Sequence, residues 1–491
     1  NDTNFAEQWA ASRTGKGMGA RRIRMELRRK GVDGDAIDEA LSSIDEDEML
    51  SGALKAARKA ASGKDISDPK DRQKVLAALA RRGYGYSEAK QALDMLKEES
   101  DYDSFFEDTM KAGHYENDKK SVEIMIKTSP EVVRDLVSYG AQFERNEDGS
   151  LAYTKEGAHS TNRIIFHEDV TGKEITSTLL REVQKLSNVE LLEYTTLVDI
   201  LEKDNHCYGA VIRRPDGSLD TVTATYTVLA SGGVGGLYRH STNFRHLTGD
   251  ALAIAGKHNI ELQNPDYVQI HPTTFYTKHP EDRSFLISES VRGEGARLYD
   301  KNMNRFVNEL LPRDLLSQKI HEQMAKDDTD FVWEDLRTIP AETLRHHFPN
   351  IVEHCREMGY DVFKECIPVV PAQHYFMGGV KVDYQSRSSM ENLYVVGEAA
   401  CNGVHGKNRL ASNSLLESLV FARRAAQDMA EHDLKKALPQ NASEIADYLA
   451  SHVDFTPYQD IQTLAETYHH LATQAITLGQ NPEGRKEFLY V

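Results

Sequence analysis

Cysteine is scarce in this chain and tryptophan scarcer: 491 residues hold four Cys and two Trp. Cys207, Cys355, Cys366 and Cys401 form no C-x-x-C pair, which argues against a cysteine-held zinc or iron–sulfur centre and fits a reducing, cytoplasmic setting. No apolar run is long enough to cross a bilayer, so no membrane partner is expected. The zinc pattern H-E-x-x-H is missing as well; His346, His347 and His354 in HHFPNIVEH do not supply it, and no metal is expected. The opening NDTNFAEQW has neither a methionine nor the basic and apolar regions of a signal peptide, and reads as a truncated start.

What is there describes a globular protein of several domains: 40% hydrophobic and 28% charged residues, with a net charge of −18. The charge is uneven. Residues 1–100 hold 19 Lys and Arg against 18 Asp and Glu, whereas the remainder holds 40 against 59. Two parts of different character follow from this contrast.

The first hundred residues carry a weak repeat, because Leu27, Gly31, Ala40 and Leu41 recur 52 positions later as Leu79, Gly83, Ala92 and Leu93. Each copy reads as helix, stop, helix. In RRIRMELRRKGV, Ile23 and Leu27 share one helical face, basic residues crowd the last turn, and Gly31 suits a left-handed cap. Asp33 or Asp35 then caps the next helix, which turns Ile37, Ala40 and Leu41 inward. The stretch FAEQWAASRTGKGMGARRIRMELRRKGVDGDAIDEAL resembles the RecX regulatory family of tandem three-helix repeats over about 1–97. That resemblance implies binding along a recombinase filament on DNA, with Arg21, Arg22, Arg24, Arg28, Arg29 and Lys30 as candidate contacts. The alternative is that these cations are dipole partners on a solvated helix face. A short polar junction is expected over 98–104.

Beyond it, the β-rich runs TVTATYTVLASGG (221–233) and NLYVVGEAA (392–400) each end in glycine, and helical patterns separate them. Such turns let a ligand approach the backbone in a doubly wound sheet; Gly232, Gly233, Gly235 and Gly236 could serve this way, the alternative being plain turn residues, and Gly232 and Gly233 are the cofactor candidates. Ser414 and Glu417 form a capping-box pattern that places a helix start at Ser414, and such a start offers free amides to an anion or carbonyl. Arg409 lies just upstream. On this stretch alone the alternative, an ion-paired Arg409 and a merely capping Ser414, stands equal.

HPTTFY (271–276), ISESVRGEGARL (287–298), LLPRDL (310–315), PAQHYFMGG (371–379), VVGEAA and HGKNRLASNSLLE, in this order, resemble the fumarate reductase and L-aspartate oxidase flavoprotein family over about 101–435. The resemblance implies an α/β FAD-binding domain (101–264 and 376–432), an inserted α+β capping domain (265–375) and a helical C-terminal region (433–491). It implies that His271, Thr273, Ser288, His374 and Arg409 bind the carboxylates of a C4 diacid. It further implies that Glu398, Asn413, Ser414 and Leu415 hold the flavin. Arg313 would shuttle the proton, with Glu289 and Arg292 as its relay; their alternative is a helical i, i+3 ion pair. In TKEGAHSTNRIIF (154–166), Glu156 would face the substrate's α-ammonium, its alternative being a surface-loop carboxylate.

The implied reaction is oxidation of L-aspartate to iminoaspartate on the quinolinate branch of NAD biosynthesis. Oxygen or fumarate would return the reduced FAD, and quinolinate synthase is a candidate partner. A fumarate reductase-type flavoprotein and a RecX-like filament regulator are the alternative functions. The family's strand, G-x-G-x-x-G turn and helix, which cradle the FAD pyrophosphate, have no counterpart in this sequence. An inactive descendant therefore also remains open, as does an artificial join.

Overall fold

The computed structural model describes residues 2–64, 66, 68–168, 170–278, 283–435 and 441–477, with side chains to 432 in the fourth of these long stretches. The chain divides into two compact units, Asn1–Phe105 and Phe106–Val491.

The first unit is helical. Helices Asp2–Thr14, Ala20–Arg29 and Gly34–Ser42 form one set, and Glu46–Ala61, Pro69–Arg81 and the start of Tyr86–Ala112 form a second. Local chemistry sets the ends: Asp33, Asp45 and Asp68 each accept the amide two residues on, and Pro69 follows Asp68 at the first helical position. The repeat read from sequence is physical, since Leu27, Leu79, Ala40, Ala92 and Leu93 are all buried. Truncating Leu79 to Ala would cost about 2–5 kcal/mol by leaving a cavity. Gly83 has a φ of +91°, and a Cβ there would lie 2.3 Å from the Arg22 backbone nitrogen. Glycine is therefore required by both backbone conformation and space. The junction expected over 98–104 ends where the two units divide, at Phe105/Phe106; the segment is helical, inside the 27-residue helix Tyr86–Ala112, as Lys97, Glu98 and Glu99 favour.

In the second unit a four-stranded antiparallel sheet runs in the order Arg297–Tyr299, Val332–Asp335, Ile367–Phe376, Val268–Phe275. Of its two long strands Ile367–Phe376 is mostly apolar, whereas Val268–Phe275 buries every residue although Gln269, His271, Thr273 and Thr274 are polar. They pack against a core that includes Phe275, Ile287, Val291, Leu316, Ile320 and Val369. A second core gathers Val198, Ile200, Val211, Leu229, Ile254, Leu393 and Val395. Around it lie the antiparallel meander Thr196–Lys203, His206–Arg213, Leu219–Thr223 and the parallel pair Thr227–Leu229 with Leu393–Val395. That pair is where the two glycine-terminated runs meet, side by side as a parallel α/β arrangement requires. Helices Ala442–Ser451 and Ile461–Thr477 follow the last described gap; residues 478–491 lie outside the described residues. Among the described residues, no helix is long and apolar enough to cross a membrane.

Candidate active site

The two long strands place the site. Residues 269, 271 and 273 recur with the strand's period of two, and the cross-strand register sets Gln269 opposite Tyr375 and His271 opposite Ala372. The rings of His271 and His374 consequently lie 5.1 Å apart. His271 Nδ1 accepts from the Thr273 amide at 3.2 Å, and His374 Nδ1 meets Thr242 Oγ1 at 2.7 Å. Burial drives both imidazoles well below their ordinary pKa, reinforced by Arg313 for His271 and by Arg409 for His374. Each ring is thus neutral at pH 7, able to donate one N–H to an acid oxygen.

Arg313 opens the helix Arg313–Asp327 directly after Pro312. Its Nε donates to Glu289 Oε2 at 2.6 Å and its Nη1 to Gln269 Oε1 at 3.1 Å. Glu289 opens the short helix Glu289–Gly293, capped by Ser288, whose Oγ accepts from the Ser290 amide. Burial pushes the Glu289 carboxyl up, but the charges of Arg313 and Arg292 outweigh this and hold it below its ordinary value. Arg292 is almost wholly buried and donates to Thr273 Oγ1 at 2.5 Å and to the Glu309 carbonyl at 3.2 Å. The exposed i, i+3 pair weighed for Glu289 and Arg292 does not describe them. Arg292 reaches a candidate substrate residue instead.

Arg409 is 4% exposed. Its Nη1 donates weakly to the Leu410 carbonyl and to Ser414 Oγ, both at 3.4 Å, and its Nε has no partner. The guanidinium lies 4.7 Å from the centre of the Tyr375 ring. Burial and Arg313 push its pKa down to about 10, against the attraction of Tyr375, Glu398 and Glu156. A buried cation facing an aromatic ring, with an unpaired nitrogen, retains the donors with which a guanidinium grips a carboxylate. The ion-paired alternative for Arg409 therefore fails.

Glu156 belongs to the same site. Its Oε2 accepts from Ser412 Oγ at 2.5 Å. His159, three residues on, bonds the Ala411 carbonyl through Nε2 at 2.9 Å. Gly157 lies so close to Glu289 that a Cβ would fall 1.6 Å from Oε1. The loop around 154–163 is thereby fastened both to the 409–414 segment and to the relay.

The flavin candidates gather around Arg409. Glu398 Oε1 accepts from the Phe376 amide at 2.8 Å, and a Cβ on Gly233 would sit 2.4 Å from that oxygen; burial pushes this carboxyl up to about 7. Gly232 has a φ of +78° and the nearby Ser231 Oγ is buried without a partner. Asn413, buried, donates to Thr109 Oγ1 at 3.1 Å, while Leu415 is exposed. The helix begins at Asn413 rather than Ser414. The capping box is not the arrangement found: Glu417 accepts from Asn402 and from the Tyr375 hydroxyl, and Ser414 Oγ is left to Arg409. An orphaned hydroxyl, a glycine cradle, a near-neutral carboxyl and a helix start fit the ring and ribityl end of FAD. The sequence contains no G-x-G-x-x-G to cradle the pyrophosphate.

Sequence reasoning missed Gln269, Thr242, Tyr375 and Ser412. Gln269 was findable, two residues before His271 on one strand face; the other three carried no pattern. Among the described residues no group of His, Cys, Asp and Glu is placed to hold a metal.

An FAD binding domain family matches residues 84–415. The second and third three-helix domains of RecX match 1–41 and 46–93. L-aspartate oxidase of Clostridium perfringens is 48% identical over 341 residues, covering 70% of this chain and 77% of the relative. That of Clostridium acetobutylicum is 47% identical, covering 66% and 75%. Among solved structures, E. coli quinol fumarate reductase aligns with a TM-score of 0.65 and 27% identity, covering 77% of this chain and 72% of the other.

Proposed function

Because the chain belongs to the L-aspartate oxidase family of FAD-binding flavoprotein oxidoreductases, we propose that its substrate is L-aspartate, oxidised to iminoaspartate. The observation that carries this reading is Glu156, held by Ser412 within the field of Arg409. Arg292, Arg313 and Arg409 against Glu289 leave a surplus of two positive charges, which matches the two carboxylates of a C4 diacid. Glu156 then adds one negative charge, which suits an α-ammonium and repels a plain diacid.

FAD, when bound, accepts the hydride from the substrate carbon. Arg409 clamps one carboxylate, with the neutral His374 beside it and Thr242 holding that ring. His271, Thr273 and Ser288 take the other, while Arg292 fixes the Thr273 hydroxyl. Arg313 exchanges the proton of the reaction with Glu289, which is already hydrogen-bonded to it. Glu398, Asn413, Ser414, Leu415, Gly232 and Gly233 would hold the flavin. Glu156→Gln tests the assignment: the aspartate concentration for half-maximal rate should rise at least about 10-fold, as for a lost charge-assisted hydrogen bond, while fumarate reduction is retained. Unchanged aspartate kinetics would refute the reading.

A second reading concerns the first unit, where Arg21, Arg28, Arg29 and Lys30 are exposed on and beside one helix, whereas Arg22 and Arg24 are ion-paired with Glu26 and Asp38. Lys30 lies over the Trp9 ring at 4.2 Å, and the exposed Arg21, Arg28 and Arg29 support binding of a recombinase filament on DNA. Replacing Arg21, Arg28 and Arg29 by Ala should abolish co-sedimentation with such filaments and flatten its salt dependence; full retention argues against it.

A further inference from the structure

Every residue from 185 to 194 is exposed, and the large apolar ones among them, Leu186, Val189, Leu191, Leu192 and Tyr194, are 41 to 90% exposed. The run leads into the strand Thr196–Lys203, whose Val198 and Ile200 lie in the core that also holds Leu229 and Val395. The same core is open at the strand Thr227–Leu229, which pairs with Leu393–Val395 and with no other strand among the described residues. The Thr227 amide donates to the Asn392 carbonyl, and the Leu229 carbonyl accepts from the Val396 amide, both at 3.0 Å. Val228, between them, therefore turns its amide and carbonyl to the unpaired side. Its side chain is 41% exposed, although parallel strands are ordinarily covered on both faces by crossover helices. Neither 189–194 nor 226–231 contains the lysine or proline that guards a free edge.

We propose that this open edge and the apolar run are a docking surface for a separate polypeptide that folds as strand, glycine-rich turn, helix and strand. The chemistry of the surface selects that shape. A strand laid parallel to Thr227–Leu229 takes up the Val228 amide and carbonyl, its crossover helix covers the Val228 side chain, and the second strand extends the sheet toward 189–194. A second copy of this chain has no such unit to lend, because each of its described strands is already paired. A parallel partner strand also ends beside Ser231, whose buried hydroxyl has no partner, and Gly232, whose φ is +78°. Its turn thus brings backbone amides to the ligand end of the strands, whereas this chain contains no G-x-G-x-x-G of its own. The inference rests on the flavin assignment of Gly232 and Gly233 made above, and not on aspartate as substrate.

The test mixes the full chain with a purified polypeptide of roughly 40 residues that carries the family's strand, G-x-G-x-x-G turn and helix followed by a second strand. Wild type is compared with Val228→Pro and with the double variant Leu191→Asp, Tyr194→Asp. Light scattering reads the mass, hydrogen exchange the backbone, and fluorescence titration the affinity for FAD. A one-to-one complex is expected, with exchange at Val228 and over 189–194 slowed at least about 10-fold and FAD bound at least about 10-fold more tightly. Both variants should lose the complex and melt as wild type does, since proline is tolerated where the amide faces away from its neighbour and Leu191 and Tyr194 are exposed. If Val228→Pro melts lower, the double variant decides alone. Absence of a complex with wild type, a complex that the double variant retains, or a wild-type chain that dimerises with 189–194 already protected overturns the inference. A complex with slowed exchange and unchanged affinity for FAD keeps the docking surface and refutes the assignment of Gly232 and Gly233 to the flavin.

Discussion

Replacing Arg409 with methionine should make the protein more stable and unable to bind its substrate. Burial and Arg313 push the Arg409 pKa down to about 10, against an ordinary value of roughly 12.5 or more. At ~1.36 kcal/mol per pH unit, holding this guanidinium charged in the folded chain costs on the order of 3 kcal/mol. The sign is fixed by linkage: below pH 10 both folded and unfolded chains carry the charge, so the cost is present in full at pH 7 and fades only as pH rises through 10. Cation–π attraction to Tyr375 offsets up to about 2 kcal/mol. Methionine has similar length and no charge, so a net gain of about 1–3 kcal/mol is expected, seen as a melting point higher by about 2–4 °C. Succinate at a hundred times its dissociation constant should stabilise the wild type by about 2.7 kcal/mol, and the variant not at all. Calorimetric melting with and without succinate reads both effects. A variant that melts lower, or that still responds to succinate, would show that Arg409 is a structural ion and not a carboxylate clamp.

Two other outcomes are expected. Gly157→Ala puts a Cβ 1.6 Å from Glu289 Oε1, so Glu289 must leave Arg313; flavin reduction should slow by roughly 100-fold, as a misplacement of about 1 Å predicts, with the melting point nearly unchanged. Retained activity would show that the Glu289 to Arg313 bond is dispensable. Asp199 is 1% exposed and joins Lys257, His258 and Tyr458; burial pushes its carboxyl up, but those hydrogen bonds outweigh it and hold it at about 2. Its stabilisation, on the order of 2 kcal/mol, is present above about pH 4 and lost as pH falls through 2. In Asp199→Asn, limited proteolysis at neutral pH should cut within 441–477 sooner than in wild type, and equal protection would refute that role.

The parts legible in the sequence were those whose physics is local. The 52-residue repeat could be read because each copy needs the same buried leucine, alanine and left-handed glycine, and the structure buries Leu27 with Leu79 and Ala40 with Ala92. The candidate grips were reached through resemblance, and His271, His374, Arg313 and Arg409 do converge. What stayed hidden depends on register and on side-chain choice between competing partners. Ser414 and Glu417 have capping-box spacing, but Glu417 finds better acceptor duty with Asn402 and Tyr375 in a buried layer, so the box does not close. Tyr375 and Ser412 could not be picked out, because a ring beneath a guanidinium and a strained hydroxyl beside a carboxylate are long-range facts. The junction near 98–104 showed in its polarity, but its helical state did not, because charged residues serve helices and linkers alike.

The cationic grips and the carboxylate loop answer different questions. In the proposed reading Arg409, His374 and His271 take the two carboxylates of a C4 diacid with Arg313 beside them, and nothing in their arrangement tells an amino diacid from a plain one. In that reading discrimination would fall to the loop around 154–163, which carries Glu156 and is fastened by Ser412, His159 and the close approach of Gly157 to Glu289. Because Gly157 lies against Glu289, the charge proposed to select the ammonium and the charge proposed to assist Arg313 would be set by one loop. A substitution that lifts this loop should therefore lower selectivity and turnover together, whereas one that changes only the Glu156 side chain should separate them.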